Sequence, residues 1–251
     1  TKLKERNLGF YNYVKYWLSR IYISKAKPWL ENGMPHTLET TIIMDGEWFN
    51  HPRMNTLIHE LTHIHQRQAP FEWEDLYVLM GYELYKPGII NTIKGMENVM
   101  ILNRNNPDGL ELDYLWNANT NANANANANG NIKNSNNNKN NAKKWWIGAL
   151  FHNITPSNLF DVDNVALSLE SDLDGKLYYL KQNPIKLDNF KEFCDFFGPN
   201  PNNYHPNEMT AKFSEWYYYE IMGLSGGMNY DKYPAFGIYK HYIEKLNKTF
   251  Y

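Results

Sequence analysis

Apolar residues recur along much of this chain at the spacing of an amphipathic helix. Between positions 51 and 68, Leu57, Leu61 and Ile64 follow one another at intervals of three or four, which predicts a helix with Pro52 near its start. The pair Ala69-Pro70 ends this pattern. The same periodicity predicts further helices at positions 71–85, 89–103, 187–197, 207–223 and 235–247.

Strand signals are fewer and shorter. The segment HTLETTIIM at 36–44 is rich in β-branched residues and ends at the turn pair Asp45-Gly46, so it predicts a strand. Positions 8–23 alternate aromatic and polar residues in a way that fits a helix or a strand, and the helix is favoured. The chain is therefore predicted to have an α+β fold that is mainly helical, with a small sheet and a central helix at 52–68.

One segment lacks the apolar residues that a folded element needs. Positions 117–142 read NANTNANANANANGNIKNSNNNKNNA, with Ile132 as their one large apolar side chain. Such a segment buries too little surface to offset its ordering entropy, which predicts a low-complexity insertion in a surface loop. A functional spacer or association segment is the alternative. The N-terminal part, 1–116, and the C-terminal part, 143–251, are expected to form one domain, because chemically suggestive residues lie in both.

Composition excludes several classes of protein. In 251 residues, 25 Lys and Arg stand against 27 Asp and Glu, a net charge of −2 that argues against nucleic-acid or membrane-surface binding through bulk charge. No apolar run reaches the roughly 20 residues of a membrane-spanning helix, so a soluble protein is expected. The single cysteine, Cys194, excludes internal disulfides and cysteine-rich zinc sites, and is interpreted as a buried thiol. Any bound metal must therefore be held by histidines and carboxylates.

The helix predicted at 52–68 contains the motif His59-Glu60-x-x-His63. Residues four apart lie about 40° apart around a helix, so the two imidazoles can converge on one ion. Glu60 lies about 100° from His59, where its carboxylate can reach a water on the metal rather than the metal itself. We predict one Zn²⁺ per chain, with a structural pair of histidines as the alternative. His65 lies about 200° from His63 and is expected to pack or hydrogen bond on another face.

A catalytic zinc site needs a third protein ligand and leaves one position for water. Glu208 falls in the first turn of a helix that Pro206 and Asn207 can start, and Ala211 leaves room beside it for close helix approach. Other carboxylates on the predicted helices are also candidates, namely Glu72, Glu74, Glu83, Glu215 and Glu220.

The motif HELTH, followed far downstream by Asn-Glu-x-x-Ala at 207–211, resembles the gluzincins, the thermolysin-type zincin metallopeptidases. This resemblance implies a zincin-like fold in which His59, His63 and Glu208 bind zinc and Glu60 is the general base. The runs LIHELTHIHQRQAP, RNNPD and HPNEMTA look more closely like those of uncharacterised zincin-like proteins from large DNA viruses of algae and protists. Asparagine-rich insertions are common in such genomes.

The chain departs from the thermolysin-type pattern at one position. Lys212 stands four residues after Glu208, where those enzymes place an acidic partner for a ligand histidine. Glu215, two helical turns from Glu208 on nearly the same face, is the candidate for that role.

Residues outside the metal motif have weaker signals. His205 or Tyr204, just before the helix of Glu208, is a candidate hydrogen-bond donor to an oxyanion, and we assign His205 a catalytic role on that basis. Arg104 and Asp108 flank a turn, and they either belong to that turn or form a pair lining the cleft. The tyrosines at 217–219 are expected to pack in the core.

These residues together predict a zinc-dependent metallopeptidase, a hydrolase in which Glu60 deprotonates a metal-activated water that attacks a peptide carbonyl. Its substrate is a peptide or protein, expected to pair with an edge strand at 37–44. Two alternatives stay open: a catalytically silent zincin-fold structural or interaction protein of a virion, and a metal hydrolase acting on another amide or ester. Other virion proteins are the further expected partners, with no nucleic acid and no membrane span, in the host cytoplasm or the virion.

Overall fold

The computed structural model describes residues 1–27, 29–85, 114–118, 143–151, 162–171, 176–179, 183–199 and 205–250. Helices account for about 53% of these residues and the strands form two small sheets, so the predicted α+β class is confirmed. The predicted helix at 89–103, the Arg104–Asp108 turn, Tyr204 and positions 119–142 lie outside the described residues.

Helices and strands of the described residues are numbered here in chain order. The helices are α1 (Lys2–Arg6), α2 (Leu8–Leu18), α3 (Met54–Gln68), α4 (Phe71–Leu79), α5 (Lys191–Phe197), α6 (Pro206–Met222) and α7 (Pro234–Asn247). The strands are β1 (Tyr22–Lys25), β2 (His36–Leu38), β3 (Thr41–Met44), β4 (Tyr82–Leu84), β5 (Tyr114–Asn117), β6 (Lys144–Phe151), β7 (Val162–Ser171), β8 (Leu177–Tyr179) and β9 (Ile185–Lys186).

The chain divides into two compact units, each of which is described by itself. The first comprises Thr1–Leu76, Asn207–Lys232 and Phe236–Tyr251, and the second comprises Tyr77–Pro206 and Tyr233–Ala235. The first unit therefore combines segments from both sides of the asparagine-rich insertion. That the two parts of the chain form one zincin-like domain stays a prediction.

In the first unit, α3 is buried along most of its length. Ile58, Leu61 and Ile64 are fully buried along it, as the apolar spacing predicted. The helix begins at Met54, one residue after its N-cap Arg53, so Pro52 precedes the helix rather than opening it. A chain of hydroxyl groups connects α3, α6 and α7. Thr62 Oγ1 on α3 donates to Ser214 Oγ on α6 at 2.9 Å, and Ser214 Oγ lies 2.7 Å from the Tyr239 hydroxyl on α7.

The segment predicted as one strand at 36–44 forms two. β2 and β3 are antiparallel and joined by a turn at Glu39-Thr40, where Glu39 takes the left-handed φ of 52°. The Arg67 guanidinium donates to the Glu39 carbonyl at 3.1 Å and so ties this turn to α3. β3 pairs on its other side with β1 in parallel, which places it at the centre of the sheet. The prediction that positions 37–44 form an edge strand is therefore wrong for β3. Within the part of the chain that the structure describes, the edges of this sheet are β1 and β2.

The N-terminal segment divides in a similar way. The predicted helix at 8–23 ends at Leu18, and positions 22–25 form β1. Asn7 caps α2, its Oδ1 accepting from the Phe10 N–H at 2.9 Å. Phe10, Tyr13 and Trp17 recur at helical spacing and are buried along one face of α2.

The second unit contains a sheet that the sequence interpretation missed. Its strand order is β4-β5-β6-β7-β8, with β9 also paired to β7. Among the described residues, six buried apolar side chains of this sheet form one cluster, namely Leu115, Trp146, Val165, Leu167, Leu169 and Leu177. The predicted helix at 71–85 ends at Leu79, because Gly81 has a φ of 86° and Tyr82 then pairs with Trp116 on β5. The helical spacing of positions 80–85 did not determine their structure, because positions 82–84 pair with a distant strand.

The ends of the asparagine-rich insertion lie side by side. Asn117 on β5 is the antiparallel partner of Lys144 on β6, so positions 118–143 form the connection of a two-stranded hairpin. A short turn is sufficient to join such neighbours, and loop-closure entropy changes only slowly with loop length. We therefore expect β5 and β6 to pair without positions 118–143.

Replacing positions 119–141 with a short Gly/Ser linker should leave the melting temperature within about 5 °C of the wild-type value, because the β5–β6 register sets the strand positions. Thermal unfolding followed by circular dichroism measures this. A much larger drop would show that the segment packs on the folded chain, and would favour an association role over a tolerated expansion.

No helix among the described residues is long and apolar enough to span a bilayer.

Candidate metal centre

Two histidines and a glutamate converge in the first unit. α3 presents His59 and His63 one turn apart, with their ring centroids 4.8 Å from each other. Glu208, in the first turn of α6, places its Oε2 3.5 Å from His59 Nε2 and 3.6 Å from His63 Nε2. One ligand atom from each of the three residues lies within 4.8 Å of the others. The structure thus brings together the two motif histidines and the predicted third ligand.

The ligand atoms can be compared with the geometry of a tetrahedral metal ion such as zinc. Zinc binds imidazole nitrogen and carboxylate oxygen at about 2.1 Å, so two ligand atoms of one tetrahedral ion lie about 3.4 Å apart. The two nitrogen-to-oxygen separations, 3.5 and 3.6 Å, are close to this value. Two histidines and one carboxylate are also the ligand types of a catalytic zinc site that keeps one position for water. These three residues could therefore hold a metal ion.

His59 is oriented from behind by Glu215. Its Nδ1 lies 2.8 Å from Glu215 Oε1, which leaves Nε2 directed at Glu208. The other oxygen of Glu215 accepts from Asn55 Nδ2 at 3.3 Å and from Lys212 Nζ at 3.1 Å. Glu215 thus has the predicted contact with a candidate ligand histidine. Lys212, the residue that departs from the thermolysin-type pattern, forms an ion pair with Glu215. A carboxylate behind a ligand imidazole fixes its tautomer and raises its basicity.

His63 is oriented by an amide. Its Nδ1 lies 2.9 Å from Gln66 Oε1, and the Gln66 Nε2 group donates to the Asn207 carbonyl at 3.0 Å and to Thr210 Oγ1 at 2.7 Å. Gln66 was not predicted from the sequence. Its position three residues after His63, on the same helix face, was the available signal.

Electrostatic pairing shifts the titration of these groups. Burial by itself lowers the pKa of His59, but hydrogen bonds to Glu208 and Glu215 and the charge of Glu60 raise that pKa well above its ordinary value. Burial raises the pKa of Glu208, whereas the charge of His63 and hydrogen bonds to both histidines bring it well below the usual range. Glu208 is therefore ionised at neutral pH, and a metal ion binding here would displace a proton from His59.

Glu60 lies next to His59 on α3 and is buried, with 5% of its surface exposed. A buried carboxylate next to a candidate metal ligand can serve as a general base, if it lies within hydrogen-bond reach of the reacting water. Its charge acts on His59, which places it in the electrostatic field of the site. Its catalytic role stays a prediction.

Three of the four remaining candidate carboxylates have other partners. Glu72 Oε2 lies 2.7 Å from His65 Nε2, Glu83 pairs with Lys144 on the second sheet at 2.8 Å, and Glu220 pairs with Lys240 at 2.7 Å. Glu74 is exposed on α4. None of these four belongs to the metal-ligand group found among the described residues.

His65 occupies another face of α3, as predicted. It is fully buried between Tyr13, whose hydroxyl lies 3.2 Å from His65 Nδ1, and Glu72. Its ring also contacts Trp17 at a centroid distance of 4.6 Å. Burial lowers the pKa of His65 despite its hydrogen bond to Glu72. His65 is thus a structural residue that links α2, α3 and α4.

The other residues singled out from the sequence lie as follows. His205 is half-buried in the second unit, where its ring contacts Tyr114 edge-to-face at 5.3 Å, and its catalytic role stays a prediction. Tyr217 packs in the core against Phe10, whereas its two neighbours at 218–219 are half-buried. Cys194 is half-buried rather than buried, and its thiol donates to the Leu187 carbonyl at 3.2 Å.

Comparison of the chain with protein-family models, with curated proteins and with solved structures finds no match.

Proposed function

We propose that this protein is a zinc-dependent metallopeptidase of the gluzincin type. The observation that carries the proposal is the convergence of His59, His63 and Glu208 on one point, with 3.5 and 3.6 Å between the imidazole nitrogens and the carboxylate oxygen. This ligand set, with a glutamate following the first histidine, is the combination that metal-assisted hydrolysis requires.

The chain's own residues have separate tasks in this proposal. His59, His63 and Glu208 would hold the metal, and Glu215 fixes the orientation of the His59 imidazole. When bound, zinc would supply Lewis acidity that activates water and polarises the substrate carbonyl. Glu60 accepts the proton of the attacking water on its carboxylate and then donates it to the leaving amine.

An extended peptide substrate would bind to an edge of the three-stranded sheet. β1 and β2 are its edges, while β3 is paired on both sides. Backbone hydrogen bonds to an edge strand hold a peptide extended without demanding a particular sequence.

The structural alternative is a zincin-fold protein, of a virion in the viral interpretation, that binds a partner without hydrolysis. It is favoured by apolar side chains on the outer face of the three-stranded sheet. Tyr22 on β1 and Leu38 on β2 both pair with Thr41 in the sheet register, so they lie in one row, and they are 74% and 61% exposed. Large apolar residues exposed together on a surface are typical of interaction sites.

The test of the proposal is cleavage of a broad peptide library by the zinc-loaded protein at neutral pH. We expect cleavage that a chelator abolishes and added zinc restores. Full zinc occupancy with no cleavage would contradict the peptidase proposal and favour the structural alternative, whereas cleavage of an ester or non-peptide amide alone would redefine the substrate class.

A further inference from the structure

Gln66 contacts both sides of the candidate metal centre. It lies at the end of α3 that carries His63, and its side chain is buried, with 1% of its surface exposed. The Oε1 atom lies 2.9 Å from His63 Nδ1, and the Nε2 group donates to Asn207 and Thr210. A single side chain therefore joins a ligand histidine on α3 to the residues on either side of Glu208 on α6.

The donors and acceptors in these contacts determine the orientation of the Gln66 amide and the tautomer of His63. The Asn207 carbonyl accepts hydrogen bonds only, so the atom of Gln66 that faces it must be the NH₂ group. The oxygen of Gln66 then faces His63, and Nδ1 of His63 must carry the proton that is donated to it. In the neutral imidazole this leaves the lone pair on Nε2, the atom that lies 3.6 Å from Glu208. The first turn of α6 thus determines which nitrogen of His63 is available as a ligand.

The same amide controls the position of the third ligand. Glu208 lies between Asn207 and Thr210, both of which accept from Gln66. Thr210 Oγ1 also donates to the Asn207 carbonyl at 3.2 Å. The turn that carries Glu208 therefore has an internal hydrogen bond and is joined to α3 through Gln66. Because α3 and α6 are far apart in sequence, the distance between the histidines and Glu208 depends on contacts of this kind.

We propose that Gln66 is a positioning residue that sets the metal affinity of the site by orienting His63 through Oε1 and the Glu208 turn through Nε2. This inference rests on the metal site of the proposed function and adds to it a residue that touches neither metal nor substrate. Glu215 orients one ligand with a charged group, whereas Gln66 orients two ligands with a neutral one.

The test compares the zinc affinity of Gln66 variants by competition with a chelator, at a temperature where circular dichroism shows each variant folded. Gln66→Met, similar in size but without either hydrogen-bonding group, should bind zinc about 10- to 100-fold more weakly, the usual loss when a partner behind a metal ligand is removed. Gln66→Glu keeps an acceptor for His63 but cannot donate to the Asn207 carbonyl, so its loss should be intermediate. Gln68→Met, an exposed glutamine on the same helix, is the matched control and should bind zinc like wild type.

If Gln66 only stabilises the fold, the experiment should give a different result. The Gln66 variants would then melt at a lower temperature without zinc, while the zinc affinity of the folded protein and the visible spectrum of bound Co²⁺ would stay unchanged. That outcome, or an affinity of Gln66→Glu equal to wild type, would overturn the proposal. If Gln66→Met does not fold, Gln66→Glu decides alone. A wild-type protein that binds no zinc would contradict the proposed function itself, so the two failures are distinguishable.

Discussion

Glu60→Gln should retain the bound zinc and the fold of the protein while losing most of its turnover. Glutamine has nearly the same size and shape, but it cannot accept a proton from water, and general-base catalysis contributes about 10²- to 10⁴-fold to a rate. Glu60 does not belong to the group of residues whose ligand atoms converge on the metal position, so its charge is not needed as a ligand. The expected result is a drop in kcat of at least about 100-fold with KM nearly unchanged.

Zinc content by mass spectrometry and cleavage of the peptide library are compared for wild type and Glu60→Gln at neutral pH. The matched control is Glu74→Gln, which makes the same change at an exposed glutamate on α4 and should have wild-type turnover. Equal cleavage by wild type and Glu60→Gln at full zinc occupancy would exclude Glu60 as the base. Absence of cleavage in both would favour the structural alternative.

Substituting alanine for His59, His63 or Glu208 should in each case abolish tight zinc binding. Each residue supplies one of three converging ligand atoms, and a site with two protein ligands does not hold zinc against a chelator. Wild type should contain about one zinc per chain after dialysis, and each variant close to none. Metal content is measured on protein whose circular dichroism spectrum matches wild type, because His63 is buried and its removal also affects packing.

The carboxylate assignment is tested in the same experiment by two further variants. Glu83→Ala should retain zinc, because Glu83 pairs with Lys144 at 2.8 Å on the second sheet. Glu215→Ala should bind zinc more weakly but measurably, since Glu215 orients His59 from its Nδ1 side. Full retention of zinc in Glu208→Ala, with complete loss in Glu215→Ala, would show that Glu215 is the third ligand.

Local sequence determined the part of the site that lies within one helix. His59 and His63 are one turn apart on α3, so helical geometry alone predicts that their imidazoles converge. The same geometry separated His65 from them, and the structure confirms that it is buried on another face. The apolar spacing of α3 also predicted its burial, because a helix with such a face is stable only when that face is covered.

Contacts between distant segments had to be decided by tertiary structure. The sequence alone left six carboxylates open as the third ligand, and the packing of α6 against α3 brings Glu208 to within 3.6 Å of both histidines. The hydrogen bonds of Gln66 to α6 join positions more than 140 residues apart and could not be inferred from spacing. Strand pairing also decided part of the fold. Tyr82 lies in a segment whose apolar spacing predicts a helix, but it pairs with Trp116 and belongs to a strand. The spacing of apolar residues shows only which face of a segment can be buried. Which other segment covers that face depends on the fold of the whole chain.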